Sequence, residues 1–308
     1  MAAHRYWRLR GVSGFALGGG NYYWNVHSLE FYDKDFNVIP TTGGTALANA
    51  VFSGYPASNA VDSNNSTLTS LNANAAQAGT GVCYVGYDFG TPVDPYFMRY
   101  YFSSAVTGVE LEYSDDGSSW TSSKSISGAR LVNTWNLEWW QTPADTEQAS
   151  KSYYRLLILK TMTTSGQNSS SAAEVELFLK TGGSDLCTGG TPFASDTYSG
   201  SFPASNAFDD NASTLWVSAA NDPSKPKWVG YQLPSAQVVG GFSYRKRPSD
   251  GVDNESPWVL LQAGDSTSGP WYTIMYRDLS GMTAGEKRTL WASFSPMFSS
   301  RRRQMLIT

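Results

Sequence analysis

Polar and apolar residues trade places over short stretches along most of this chain. Glu174-Val175-Glu176-Leu177-Phe178 and Val109-Glu110-Leu111-Glu112-Tyr113 alternate with period two. A half-buried strand reads this way, because successive side chains leave opposite faces. Arg155-Leu156-Leu157-Ile158-Leu159 is a short apolar run between polar segments, a further strand signal. Ser114-Asp115-Asp116-Gly117 then reads as a turn in which Gly117 supplies positive φ. No long stretch carries the period of an amphipathic helix. Many short strands between Gly, Ser and Asn turns predict an all-β chain of sandwich or jelly-roll type.

The pattern also repeats at domain scale. The stretch from Pro56 to Leu68, PASNAVDSNNSTL, returns 147 residues later as PASNAFDDNASTL, from Pro203 to Leu215, with ten of 13 positions identical. Thr42-Gly43-Gly44-Thr45 returns at Thr188–Thr191, and Val85-Gly86-Tyr87 at Val229–Tyr231. Trp7-Arg8-Leu9 matches Tyr154-Arg155-Leu156, and Glu30-Phe31 matches Glu176-Leu177. Leu111, Glu112, Asp115 and Trp120 match Leu261, Gln262, Asp265 and Trp271. Arg302 falls where a third copy would begin. The period is much longer than a solenoid repeat and fits two tandem domains.

Two divisions of the chain fit this repeat. The first takes 1–32 as an N-terminal strand pair, 33–180 as one module and 181–308 as the next. The second module then lacks a strand equivalent to Glu174–Phe178, and residues 1–32 are expected to fill that open edge, in the same chain or a neighbour. The second division is permuted, with modules 1–150 and 151–308. The repeat alone fits both.

Composition sharpens the class. Aromatics make up 14% of the 308 residues and charged residues only 16%, enough apolar material for two packed cores. A net charge of −4 argues against nucleic acid, whose phosphates need a basic surface. Arg301-Arg302-Arg303 reads as a solvated chain end. Cys83 and Cys187 are too few for a disulfide framework and read as free thiols. No apolar run reads as a signal peptide or membrane span, so no membrane insertion is expected.

At this point the residues resemble a known family. PASNA-x-D-x-N-x-ST, Trp228-Val229-Gly230-Tyr231, Ser114-Asp115-Asp116-Gly117-Ser118-Ser119-Trp120, Tyr153-Tyr154-Arg155-Leu156 and Ala173-Glu174-Val175-Glu176-Leu177-Phe178 occur in the order of discoidin (coagulation-factor type C) domains. They also resemble family 32 carbohydrate-binding modules. The resemblance covers most of both repeats and implies tandem galactose-binding-like jelly rolls, with ligands carried by loops at one end. The strand strings also resemble modules of bacteriophage tail fibres, baseplates and capsid decoration proteins.

The family often holds a structural calcium in the repeated loop, and Ca2+ wants six to eight oxygen ligands. The resemblance therefore implies a site in module 1 from Asp62, Asn64, Ser66 and Thr67, closed by Glu174 from a distant strand. Asp209, Asn211, Ser213 and Thr214 form the second loop. If the N-terminal strand stands in there, Ser28 takes the Glu174 position, and that site is expected to be weaker or empty. The bland alternative is that Asp62 and Asp209 merely bond backbone N–H groups of their own loops.

For partner binding, Tyr22 and Trp24, which follow the loop-like Gly18-Gly19-Gly20-Asn21, and Arg245, beside Lys246 and Arg247, are the candidates, since sugars stack on aromatic faces and need fixed polar groups. Trp120, Trp216, Trp228 and Trp271 are expected in packing roles. His4 and His27 lack a neighbouring nucleophile in sequence, Cys83 lies in a strand, and Asp115-Asp116 lies in a turn, so no enzyme is expected. The resulting expectation is a non-catalytic virion structural or adhesion protein of a phage. It would assemble in the host cytoplasm, without a signal peptide, into a larger assembly or oligomer, and bind host-surface glycan or neighbouring virion proteins. The alternatives are a soluble bacterial lectin-like protein and an accessory binding subunit of a glycosidase.

Overall fold

In a computed structural model, residues 2–130, 132–140, 144–159, 169–219, 227–248, 258–279 and 281–293 are described. The expected third-copy start at Arg302 and the Arg301–Arg303 run lie outside them. The chain is almost entirely antiparallel β structure, as the alternation predicts.

The first half holds a five-stranded sheet in the order Thr121–Ser127, Gly108–Ser114, His4–Ser13, Cys83–Val93, Thr45–Ala48. Facing it are Thr134–Trp139, Phe97–Phe102 and Asn21–Tyr32, with Ala16–Gly18, Val38–Ile39 and Thr69–Asn72 also paired to the long Asn21–Tyr32 strand. The second half repeats the order. Trp271–Asp278, Trp258–Gly264, Lys151–Leu159, Lys227–Gln237 and Thr191–Ala194 form its five-stranded sheet. Lys287–Trp291, Val239–Arg245 and Glu174–Leu179 form its partner, with Ser171–Ala172 against Trp216–Val217.

The strand pairing corrects the first division. The strands within 1–32 do not fill an edge after residue 181. His4–Ser13 is the middle strand of the first half, and Asn21–Tyr32 pairs with Phe97–Phe102. Glu174–Leu179 pairs with Val239–Arg245 in the second half. Each half thus supplies its own strand at this position, and the edge expected to be open is filled locally.

Alternation decides the interior. Trp7, Leu9, Val85 and Leu111 point inward from one sheet and meet Trp24, Val26, Phe31 and Phe102 from the other. Tyr154, Leu156, Val229 and Leu261 do the same against Val175, Leu177, Phe242 and Trp216. Burying one such side chain contributes roughly 1.5–3 kcal/mol.

The halves meet in a third apolar cluster. Tyr32, Phe36, Phe97 and Trp139 of the first half cover Leu157, Leu159 and Leu260 on the outer face of the second half's five-stranded sheet. A turn anchors the seam. Asp33 Oδ1 accepts from the amides of Asp35 (2.9 Å) and Asn37 (2.8 Å), which holds Phe36 at φ 62°. That left-handed backbone costs a bulky residue on the order of 1–3 kcal/mol unless its surroundings over-determine it. Here Phe36 stacks on Tyr32 at 4.4 Å. The Thr273 amide donates to Asp35 Oδ1 at 2.6 Å, and Gln262 Nε2 donates to the Asp35 carbonyl at 2.7 Å.

The matching face of the first half is charged. Leu157 faces Leu260 in the second half; in the same register of the first, Arg10 faces Glu110. The Arg10 and Glu110 side chains form an ion pair at 2.8 Å.

Candidate functional site

The two copies of the repeated loop fold alike. Each begins with an extended proline, Pro56 or Pro203, and a short 3-10 turn. Asn59 Nδ2 donates to the Leu68 carbonyl (2.9 Å), and Asn206 Nδ2 to the Leu215 carbonyl (3.0 Å). Asp62 and Asp209 each accept the amide two residues on, at 2.8 and 3.0 Å. Asn64 and Asn211 repeat the motif on Ser66 and Ser213. Ser63 and Asp210 sit at φ 59° and 56°. These are Asx-type turns, so the local capping read from the sequence is present in both loops.

In the second loop, oxygens converge on Thr214. Its Oγ1 lies 2.9 and 2.8 Å from the two Asp209 carboxylate oxygens, 2.7 Å from the Asn211 carbonyl and 3.4 Å from the Asn206 carbonyl. A hydroxyl has one proton to share among these acceptors. In the first loop, Thr67 Oγ1 lies 2.7 Å from Asp62 Oδ2 and 2.8 Å from the Asn64 carbonyl.

The residue facing the loop differs between halves, and it reverses the expected ligand set. Glu174 does not close the cage of Asp62, Asn64 and Thr67. It lies in the second half, paired to Arg245, where Asp209 and Asp210 act on its charge. Ser28 occupies the matching place in the first half, paired to Tyr101, and its hydroxyl donates to Asn65 Oδ1 at 2.5 Å. The cause is the strand pairing above: each half uses its own strand at this position. The acid therefore belongs to the loop from which the sequence reading withheld it.

Glu174 is 5% exposed, and neither carboxylate oxygen has a hydrogen-bond partner of good geometry. Desolvation, followed by repulsion from Asp209 and Asp210, pushes its carboxyl up to about 7, against a small opposing effect of the Val175 amide. A buried carboxylate beside other acids is costly unless something positive neutralises it. The donor chemistry fits a hard cation: Glu174, the Asp209 carboxylate that acts on it, and the Thr214 hydroxyl and Asn206 and Asn211 carbonyls gathered in the same loop are the kinds of oxygen that calcium takes. The first loop, with Ser28 already satisfied by Asn65, does not fit it as well. Among the described residues, no three His, Cys, Asp or Glu side chains come together as a metal cluster, so the fit rests on hydroxyl and carbonyl oxygens as much as on acids.

The residues named for partner binding are not brought together. Trp24 is fully buried, packed against Phe102 and Phe15, because Trp24 and Val26 alternate inward along Asn21–Tyr32. It is a core residue, not a ligand platform. Tyr22 is half-buried against the same core. Arg245 lies in the second half, away from both, and its Nη1 donates to the Gly285 carbonyl of that same half at 2.8 Å. Exposed aromatics that were missed stand beside the repeated loops: Tyr55 and Tyr198 are 44% and 61% exposed. Their signal was a lone Tyr in a Ser/Gly context, Ser53-Gly54-Tyr55 and Tyr198-Ser199-Gly200. Trp216 and Trp271 are buried as expected, while Trp120 and Trp228 lie half-buried over the outer sheet faces.

His27 does meet a hydroxyl that the sequence did not reveal: its Nε2 is 2.8 Å from Ser103 Oγ. Its Nδ1 is 2.9 Å from the Asn65 carbonyl. The orienting group is a neutral carbonyl, and the Ser103 amide is already given to the Asn25 carbonyl; a charged orienter and free oxyanion donors are what an acyl-transfer site adds to such a pair. His4 stacks on Tyr113 and bonds Asp115. Asp116 accepts the Ser118 and Ser119 amides, which hold its carboxyl well below the usual range. Cys83 and Cys187 are buried and free. No helix among the described residues is long and apolar enough to cross a membrane. No family model, curated protein or solved structure matches the chain.

Proposed function

We propose that this chain is a non-catalytic binding component of a bacteriophage virion, built from discoidin-type jelly rolls whose loop ends engage host-surface glycan or neighbouring virion proteins. The observation that carries the reading is the repeated loop itself. Two Asx-turn loops with matching hydrogen bonds accompany two five-stranded sheets of identical strand order. Such pinned polar loops beside exposed Tyr55 and Tyr198 suit recognition, where rigid presentation lowers the ordering cost of binding. The resemblance of the strand strings to virion modules supports the setting.

Calcium belongs to this reading in the second half. Glu174, Asp209, Thr214 and the Asn206 and Asn211 carbonyls would hold it, and the ion would supply the positive charge that lets both acids stay ionised. Its role there would be to fix the loop. The test is a glycan array probed with the intact chain, together with immunogold imaging of native particles. Binding by the free chain, with label on the particle surface, is the expected result. Label found only inside the particle, with no glycan bound, would sink the receptor-binding role.

A further inference from the structure

Each half carries an arginine in the middle of its central strand, on the sheet face turned away from the core. Arg8 stands opposite Gly86 and Glu112, and Arg155 opposite Gly230 and Gln262. The glycines make the room: a Cβ on Gly86 would meet the Arg8 Cβ at 2.6 Å, and one on Gly230 the Arg155 Cβ at 2.9 Å. Aromatic rings flank both cations. Arg8 lies 3.7 Å from the Trp120 ring centroid and 4.4 Å from Tyr84. Arg155 lies 4.1 Å from Trp271 and 5.2 Å from Trp228.

The neutralising acid differs. Arg8 Nε donates to Glu112 at 2.5 Å, and both residues are buried. Arg155 Nε donates to Gln262 Oε1 at 2.9 Å, and Gln262 brings no charge. Gln262 cannot turn its amide round, because its Nε2 is committed to the Asp35 carbonyl at 2.7 Å and to Thr273 Oγ1 at 3.2 Å. Among the described residues Arg155 has no carboxylate partner. Among the described residues its terminal nitrogens find no hydrogen-bond partner, and the residue is only partly buried. Desolvation without a counter-charge pulls its guanidinium down to about 9.

We propose that Arg155 is the centre of an anion site for a carboxylate-bearing sugar, on the outer sheet face of the second half. With Nε held by Gln262, the two terminal nitrogens form the planar fork that pairs bidentately with a carboxylate. The surround favours a sugar over an acidic peptide. Phe193, 5.6 Å from Trp228 and 6.2 Å from both Trp271 and Tyr153, extends an aromatic wall beside the cation. Of these rings the partly exposed Phe193, Trp228 and Tyr153 are the ones free to stack on the apolar face of a pyranose. The site uses none of the residues of the repeated loops, so it stands or falls apart from the calcium reading.

The test titrates the intact chain with D-glucuronate, D-glucose, acetate and a poly-glutamate peptide, read by tryptophan fluorescence and calorimetry. Glucuronate should bind at least tenfold more tightly than glucose or acetate, with or without EDTA. Arg155→Met should weaken it at least tenfold. Arg155→Lys should do the same while keeping a cation, because a lysine ammonium lacks the planar fork; this arm serves if the methionine variant fails to fold. Equal affinity for glucose, undiminished binding in a folded variant, binding of the peptide alone, or no binding by any probe would each overturn the proposal.

Discussion

Removing the charge of Glu174 should change how stability depends on pH, and the structure sets the size of the change. In the metal-free protein the folded-state carboxyl sits at about 7, against an ordinary value of 4.5. Below pH 4.5 the group is protonated whether the chain is folded or not, and it costs nothing. As pH rises, the unfolded chain releases this proton while the folded chain keeps it, so stability falls until the folded group also ionises near pH 7. The gap of about 2.5 units is worth roughly 3.4 kcal/mol at 1.36 kcal/mol per unit, nearly all of it lost by pH 8. Glu174→Gln removes this titration. In EDTA, the wild type should therefore lose about 3 kcal/mol relative to the variant between pH 4.5 and pH 8. At about 2–4 °C per kcal/mol, that is roughly 6–12 °C of melting temperature. Calcium at 100 times its dissociation constant should return about 2.7 kcal/mol to the wild type and little to the variant. Differential scanning calorimetry across pH, with and without calcium, reads all of this. Parallel pH curves for the two proteins in EDTA would refute the reasoning.

Three further outcomes follow from other parts of the molecule. Ser28→Glu places an acid beside Asp62 and Thr67, so calcium titration calorimetry should pass from one bound ion per chain to two; an unchanged count would show that the first loop lacks more than its acid. Trp139 lies 3.9 Å from Phe97 and 4.2 Å from Tyr276 across the seam; Trp139→Ala should cost about 3–5 kcal/mol and split one calorimetric transition into two, whereas a single unshifted transition would remove the seam as the link between halves. Burial pushes the Cys83 thiol up to about 12 and Cys187 higher still; at pH 8 about one Cys83 in ten thousand is thiolate, so Ellman's reagent should label neither cysteine until the chain is unfolded, and rapid native labelling would contradict that burial.

Much of the fold was legible because alternation and repetition are local signals. Glu174–Phe178 and Val109–Tyr113 are strands, and Ser114–Gly117 is a turn, as their pattern says. Matched fragments even carry matched bonds: the amides of Gly44 and Gly190 each donate to a tyrosine hydroxyl oxygen, of Tyr87 or Tyr231, at 2.9 Å. What sequence could not fix was which copy of a strand serves which loop. A repeat of period 147 can be cut anywhere without changing its internal matches, and only hydrogen bonding between distant strands shows that Ser28, not Glu174, faces Asn65. Trp24 was misplaced for another reason. The preceding glycine run suggested a loop, although Trp24 and Val26 already alternate with Tyr23, Asn25 and His27 in the manner of an inward-facing strand. Arg155 was seen only as a repeat marker, because Glu112 and Gln262 look like a conservative pair until the missing charge is set beside a half-covered guanidinium.

The seam has a direction. A knob on the first half, centred on Phe36, fits an apolar seat at Leu157 and Leu260 on the second. Such head-to-tail contacts grow without limit when every unit offers both knob and seat. Among the described residues the matching place on the first half is no second seat: Arg10 and Glu110 are joined there in an ion pair, and an incoming phenylalanine would have to strip water from both charges. The first half is thus closed to a second knob, and a preceding unit could not extend the stack through this face.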